Sequence, residues 1–144
     1  IWKRYRKVCK IAATIMADTP DERVHEMRIS CKKLRYLMEF FAPVLPGKEL
    51  KLLLKPVKDL QNNLGLFNDY SVQQVALRKV MDHRPSEGRK QDLRLAQSIG
   101  ALIAVLHARQ KEERDKVAST FARFNSPNTR LMFRDLFYSK GSLI

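Results

Sequence analysis

The stretch "VHEMRISCKKLRYLMEFF", residues 24–41, restricts the possible fold more than any other part of the chain. Within it Val24, Met27, Cys31, Leu34, Met38 and Phe41 step by 3, 4, 3, 4 and 3. That spacing lines six apolar side chains along one stripe of an α-helix and along no single face of a strand. A helix with such a stripe must bury it against other helices. Strand-like alternation is scarce elsewhere, and most Gly and Pro residues fall between periodic stretches.

Helices are predicted over residues 1–17, 20–41, 48–82 and 91–124. In the first, Tyr5, Val8, Ala12 and Ile15 share a side. Thr19 is the expected N-cap of the second, with Pro20, Asp21 and Glu22 suited to its first turn. Pro56 and Gly65 predict a kink or short break in the third. The segment "HRPSEGRK" reads as a loop holding His83, and "NSPN" closes the fourth helix. The tail, residues 126–144, predicts a short amphipathic helix. Its Leu131, Met132, Phe133, Leu136, Phe137 and Tyr138 are expected to cap the bundle or to meet another subunit. The fold class is therefore all-α. A single domain over residues 1–144 is expected, an up-down four-helix bundle with long helices and a short C-terminal helix.

Cys9 and Cys31 occupy apolar helical positions without metal-ligand spacing and read as small core residues, which makes a reducing, cytoplasmic setting the expectation. No apolar run approaches the ~20 residues that span a bilayer, and no secretory signal or membrane partner is expected. His107 has no partner spacing for a metal, and no metal or cofactor is expected.

Charge narrows the function. The chain holds 28 Lys and Arg against 15 Asp and Glu, a formal net charge of +13. So large an excess points to a polyanionic partner. Its arrangement is sharper than its size. One residue away from the apolar stripe, His25, Arg28, Lys32, Arg35 and Glu39 step by 3, 4, 3 and 4. Successive helical residues are ~100° apart, so this basic ladder flanks the buried seam. Like charges at those spacings repel by a few tenths of a kcal/mol per pair. Lys3, Arg6 or Lys7, and Lys10 form a similar row on the first helix, and Lys51, Lys55, Lys58 and Asn62 form another on the third. Presented to a shared groove, such rows would bind a chain of phosphates, Arg through planar bidentate donors and Lys as compact charge. His25 would become a proton-dependent contact there.

"VHEMRISCKKLRYLMEFF" followed by "LKPVKDLQNNLGLFNDYSV" resembles the CHAD family, the conserved-histidine α-helical domains. The resemblance lies in His25, Arg28, Lys32, Arg35 and Tyr36, and in the block from Leu60 to Asp69, and it extends over residues 2–124. It implies a helical domain of two similar four-helix halves around a basic groove or pore. It also implies binding of inorganic polyphosphate, residence on polyphosphate granules, and frequent fusion to a triphosphate-tunnel (CYTH) phosphatase domain. The chain looks like one half, more similar to the second. On that resemblance the other half is expected upstream, or from a second chain that associates with this one. The resemblance implies polyphosphate contacts from His25, Arg28, Lys32 and Arg35, with Lys33 at the margin and Lys3, Arg6, Lys7, Lys10, Lys51, Lys55 and Lys58 as looser additions. Asn68 and Asp69 look structural, as a cap or an Arg partner, and Tyr36 is expected to pack with its hydroxyl at a polar edge.

Two other classes compete. Nucleic-acid binding suits the charge, yet the ladder has no interleaved aromatic row for stacking bases. An enzyme acting on phosphate anhydrides would use His25, yet neither a Gly-rich phosphate loop nor a pair of metal-binding carboxylates accompanies it. The expectation is a non-enzymatic polyphosphate binder, on its own or as an accessory domain of a phosphatase.

Overall fold

The computed structural model describes residues 1–138. They form α1 (Trp2–Ala12), α2 (Asp21–Phe40), a 3-10 turn at Ala42–Val44, α3 (Gly47–His83), α4 (Arg89–Phe124) and α5 (Pro127–Phe137), with no strand among them. The architecture is the expected all-α one, a bundle of long helices with a short C-terminal helix. The last six residues of the tail predicted to hold that helix lie outside the described residues.

Several details differ from expectation. The first helix stops at Ala12 rather than residue 17. There the Thr14 hydroxyl donates to the Ile11 carbonyl at 2.7 Å, and the Thr19 hydroxyl accepts from the Met16 amide at 2.7 Å and donates to the Thr14 carbonyl at 3.2 Å. These side chains offer the backbone partners that compete with a helical ladder. They also occupy Thr19, so Pro20 is the N-cap of α2 and no side chain caps it. Pro56 does not break the third helix, which runs unbroken to His83. The carbonyl deprived of a partner by a helical proline is four residues back, and Leu52 is 64% exposed, so water can satisfy it. His83 belongs to the last turn of α3 rather than to the loop, with Nδ1 2.9 Å from the Lys79 carbonyl. Asn68 and Asp69 lie inside α3, away from its ends.

The chain divides into two compact units. The first comprises Ile1–Leu64 and the chain from Lys116 onward. Its core takes Tyr5, Val8 and Ile11 from α1, and Val24, Met27, Cys31, Leu34 and Met38 from α2. It adds Leu53, Val57, Leu60 and Leu64 from α3, with Phe124 and Phe133. Five of the six residues of the predicted α2 stripe have no exposed surface; Phe41, just past the helix end, is 43% exposed. The tail does cap this core. The Phe133 ring stacks on Tyr5 with centroids 4.1 Å apart, and the Tyr5 hydroxyl donates to Asn125 Oδ1 at 2.6 Å. Buried polar groups are paired, as where the Thr120 hydroxyl donates to Asn63 Oδ1 at 2.8 Å.

The second unit, Gly65–Asp115, is a helical hairpin. Phe67, Gln74, Ile99, Gln110 and Glu113 are buried in it, and Gln74 Nε2 donates to Gln110 Oε1 at 2.7 Å. Its turn needs Gly88, whose φ of 112° suits glycine. Asp92 ties that turn to α4 by accepting from the Ser86 hydroxyl and the Glu87 amide, and the Ser86 bond holds its carboxyl below the usual range.

Both cysteines are free, with Cys31 buried and Cys9 half-buried. Burial pushes the Cys31 thiol up to about 12 and raises that of Cys9. The native chain is therefore expected to leave Cys31 unlabelled by a disulfide reagent at neutral pH, with labelling appearing on denaturant unfolding. The raised thiol contributes stability in full below the unfolded value of 9.0, and that contribution is lost as pH climbs toward about 12. Rapid labelling of both thiols in the folded chain would contradict the buried placement.

Candidate anion-binding surface

The charge is not spread evenly. Residues 65–115 carry nine Lys and Arg against seven Asp and Glu, while the rest of the chain carries nineteen against eight. The hairpin is nearly neutral, so the excess belongs to the unit built by α1, α2, the first part of α3, the end of α4, and α5.

On α2, burying the seam turns the neighbouring stripe toward the edge of the core. His25 and Lys32 are exposed, and Arg28 and Arg35 are half-buried, with Lys33 exposed one step beyond. Half-burial suits arginine, whose stem covers apolar flank while the guanidinium reaches water. The Lys32 ammonium sits over the Tyr36 ring, 5.5 Å from its centroid. Tyr36 is 53% exposed, so it is covered by a lysine rather than packed in the bundle as expected.

The α2 and α3 rows meet at one carboxylate. Arg35 Nε donates to Glu39 Oε1 at 3.0 Å, and Lys58 Nζ approaches the same oxygen at 3.4 Å. Arg35 Nη1 also donates to Gln61 Oε1 at 3.4 Å. The hydrogen bond from Arg35, aided by Lys58, holds the Glu39 carboxyl below its usual range. Glu39, the last member of the α2 row, is where the two rows join. From this junction His25, Arg28 and Lys32 lie back along α2, and the exposed Lys51 and Lys55 lie back along α3.

The α1 row is elsewhere. Lys3, Arg6, Lys7 and Lys10 line a concavity of about 790 Å³ together with Trp2, Tyr5, Cys9, Asn125 and Arg130. No cation of α2 or α3 lines it, and neither does any acidic side chain among the described residues. Sequence reasoning missed Asn125 and Arg130 here. Nothing in their local spacing links them to α1; the Tyr5 hydroxyl's bond to Asn125 and the packing of Phe133 on Tyr5 do.

No described helix is long and apolar enough to cross a membrane. No curated protein sequence matches the chain. The model of the CHAD domain family matches residues 1–78. That stretch is more than half of the chain and contains α1, α2 and the α2–α3 junction, with every cation of the three rows. The chain belongs to the CHAD domain family.

Proposed function

We propose that this chain is a non-enzymatic module that binds inorganic polyphosphate, with His25, Arg28, Lys32 and Arg35 of α2 and Lys51, Lys55 and Lys58 of α3 as the principal contacts. Lys33 adds to the field. The observation that carries the reading is the junction at Glu39, where one carboxylate oxygen serves cations from two helices. One anion shared by two cations leaves positive charge over, and further rows run from it on both helices. Membership of a polyphosphate-associated family supports the same reading. A linear polyanion relieves the repulsion along both rows at once, which no single small anion does. On this reading the chain works on polyphosphate granules or beside a triphosphatase (CYTH) domain, and a second CHAD half or another subunit completes the groove.

Retention on immobilised long-chain polyphosphate tests it. Binding is expected to weaken steeply with salt, by about a thousandfold between roughly 50 and 200 mM, if the counterion-release argument developed for DNA carries over. RNA added at equal phosphate concentration is expected to displace little of the bound chain, because the ladder offers phosphate contacts without a stacking platform. Efficient displacement by RNA would move the assignment to nucleic acid.

A further inference from the structure

We propose that the concavity between α1 and α5 is a second anion site, separate from the α2–α3 rows, that takes a compact oligophosphate such as tripolyphosphate. The proposal shares only its ligand chemistry with the function above.

Five cations line the concavity: Lys3, Arg6, Lys7 and Lys10 from α1, and Arg130 from α5. No acidic side chain among the described residues lines it, and none of the five forms an ion pair with a described residue. Among the described residues folding gathers these charges without neutralising them, which costs stability unless an anion binds. The volume, about 790 Å³, lies within the range of small-ligand sites. Lys3 to Lys10 is two helical turns, a span of about 10 Å, so the row matches a short anion rather than a long chain.

The walls are held in place. Tyr5 is 2% exposed, its hydroxyl is bonded to Asn125, and its ring is stacked under Phe133. That stacking fixes α5, and with it Arg130, against α1. The same Arg130 and Trp2 also line an adjoining concavity of about 400 Å³ with Arg134. Asn125 and Arg130 lie beyond the residues matched by the family, so the site is not contained in the matched stretch.

Trp2 is the sole tryptophan in the chain and stands in the wall of the concavity, where it reports on occupancy. Titrating the full chain with tripolyphosphate at low salt is expected to give a saturating change in its fluorescence. Arg130→Glu is expected to weaken that response by about tenfold or more, through loss of a charge-assisted contact and a new repulsion. Lys7→Glu, on the other helix, is expected to do the same, and circular dichroism checks that both variants fold. The Arg28→Glu/Arg35→Glu double variant is expected to keep the response. ATP, which adds a nucleoside to the same phosphates, is expected to bind no tighter than tripolyphosphate. A flat titration, an unaltered response in both single variants, loss of the response in the double variant, or much tighter ATP binding would each overturn the proposal. A tryptophan response that persists while wild-type retention on long-chain polyphosphate fails would sink the function proposed above and leave this site standing.

Discussion

Reversing both Arg28 and Arg35 to glutamate is expected to weaken binding to long-chain polyphosphate by at least about a hundredfold, since two charge-assisted contacts are lost and two repulsions replace them. The fold is expected to survive. Both side chains are half-buried beside the seam, and neither belongs to it. Arg35→Glu breaks the bond to Glu39 and sets two carboxylates four residues apart, which costs about 0.5 kcal/mol on a helix surface. The change also removes the main cause of the lowered Glu39 carboxyl. In the parent chain that lowering contributes stability above the ordinary value of 4.5, and the contribution is lost as pH falls through the lower folded value. Unfolding measured across the acid range should therefore show a weaker pH dependence in the double variant. Retention on polyphosphate unchanged from wild type, with a native circular dichroism spectrum, would remove the α2 ladder from the binding surface.

Phe133→Ala is expected to cost about 3–5 kcal/mol, the range for deleting a buried aromatic ring. Phe133 has no exposed surface, stacks on Tyr5, and lies 5.7 Å from Phe137 and 6.3 Å from Phe124 between ring centroids. Domains of this kind are stable by roughly 5–15 kcal/mol, so such a loss is large in a urea titration. If it is confined to α5, amide exchange should rise there first, while α2 and the first part of α3 stay protected. The variant should then lose the tryptophan response to tripolyphosphate, because Arg130 is no longer held against α1, and keep its retention on long chains. A cost below about 1 kcal/mol would mean that the ring is not a packing element, against the burial seen for it.

Much of α2 was legible in the sequence because a helix converts residue spacing directly into a direction in space. Val24, Met27, Cys31, Leu34 and Met38 had to share a face, and an apolar face of that length has to be buried. The basic stripe beside it followed from the same geometry. Phe41 escaped the pattern because the helix ends one residue earlier. The end of α1 was misread because Thr14 and Thr19 bond to nearby backbone, and periodicity carries no trace of a hydroxyl choosing a carbonyl. Pro56 was overread as a breaker, since a helix tolerates the missing bond where the residue bearing the orphaned carbonyl is exposed, as Leu52 is.

Spacing within one helix, then, determined which residues share a stripe, which stripe is buried, and that a row of cations flanks it. Which row meets which was decided only by the tertiary structure. Glu39 joins Arg35 to Lys58, and Phe133 brings Arg130 across to the α1 cations. Those pairings join residues as far apart as Lys3 and Arg130, and they depend on how helices pack side by side. A local period runs along one helix axis and holds no information about the neighbour on which a face will rest.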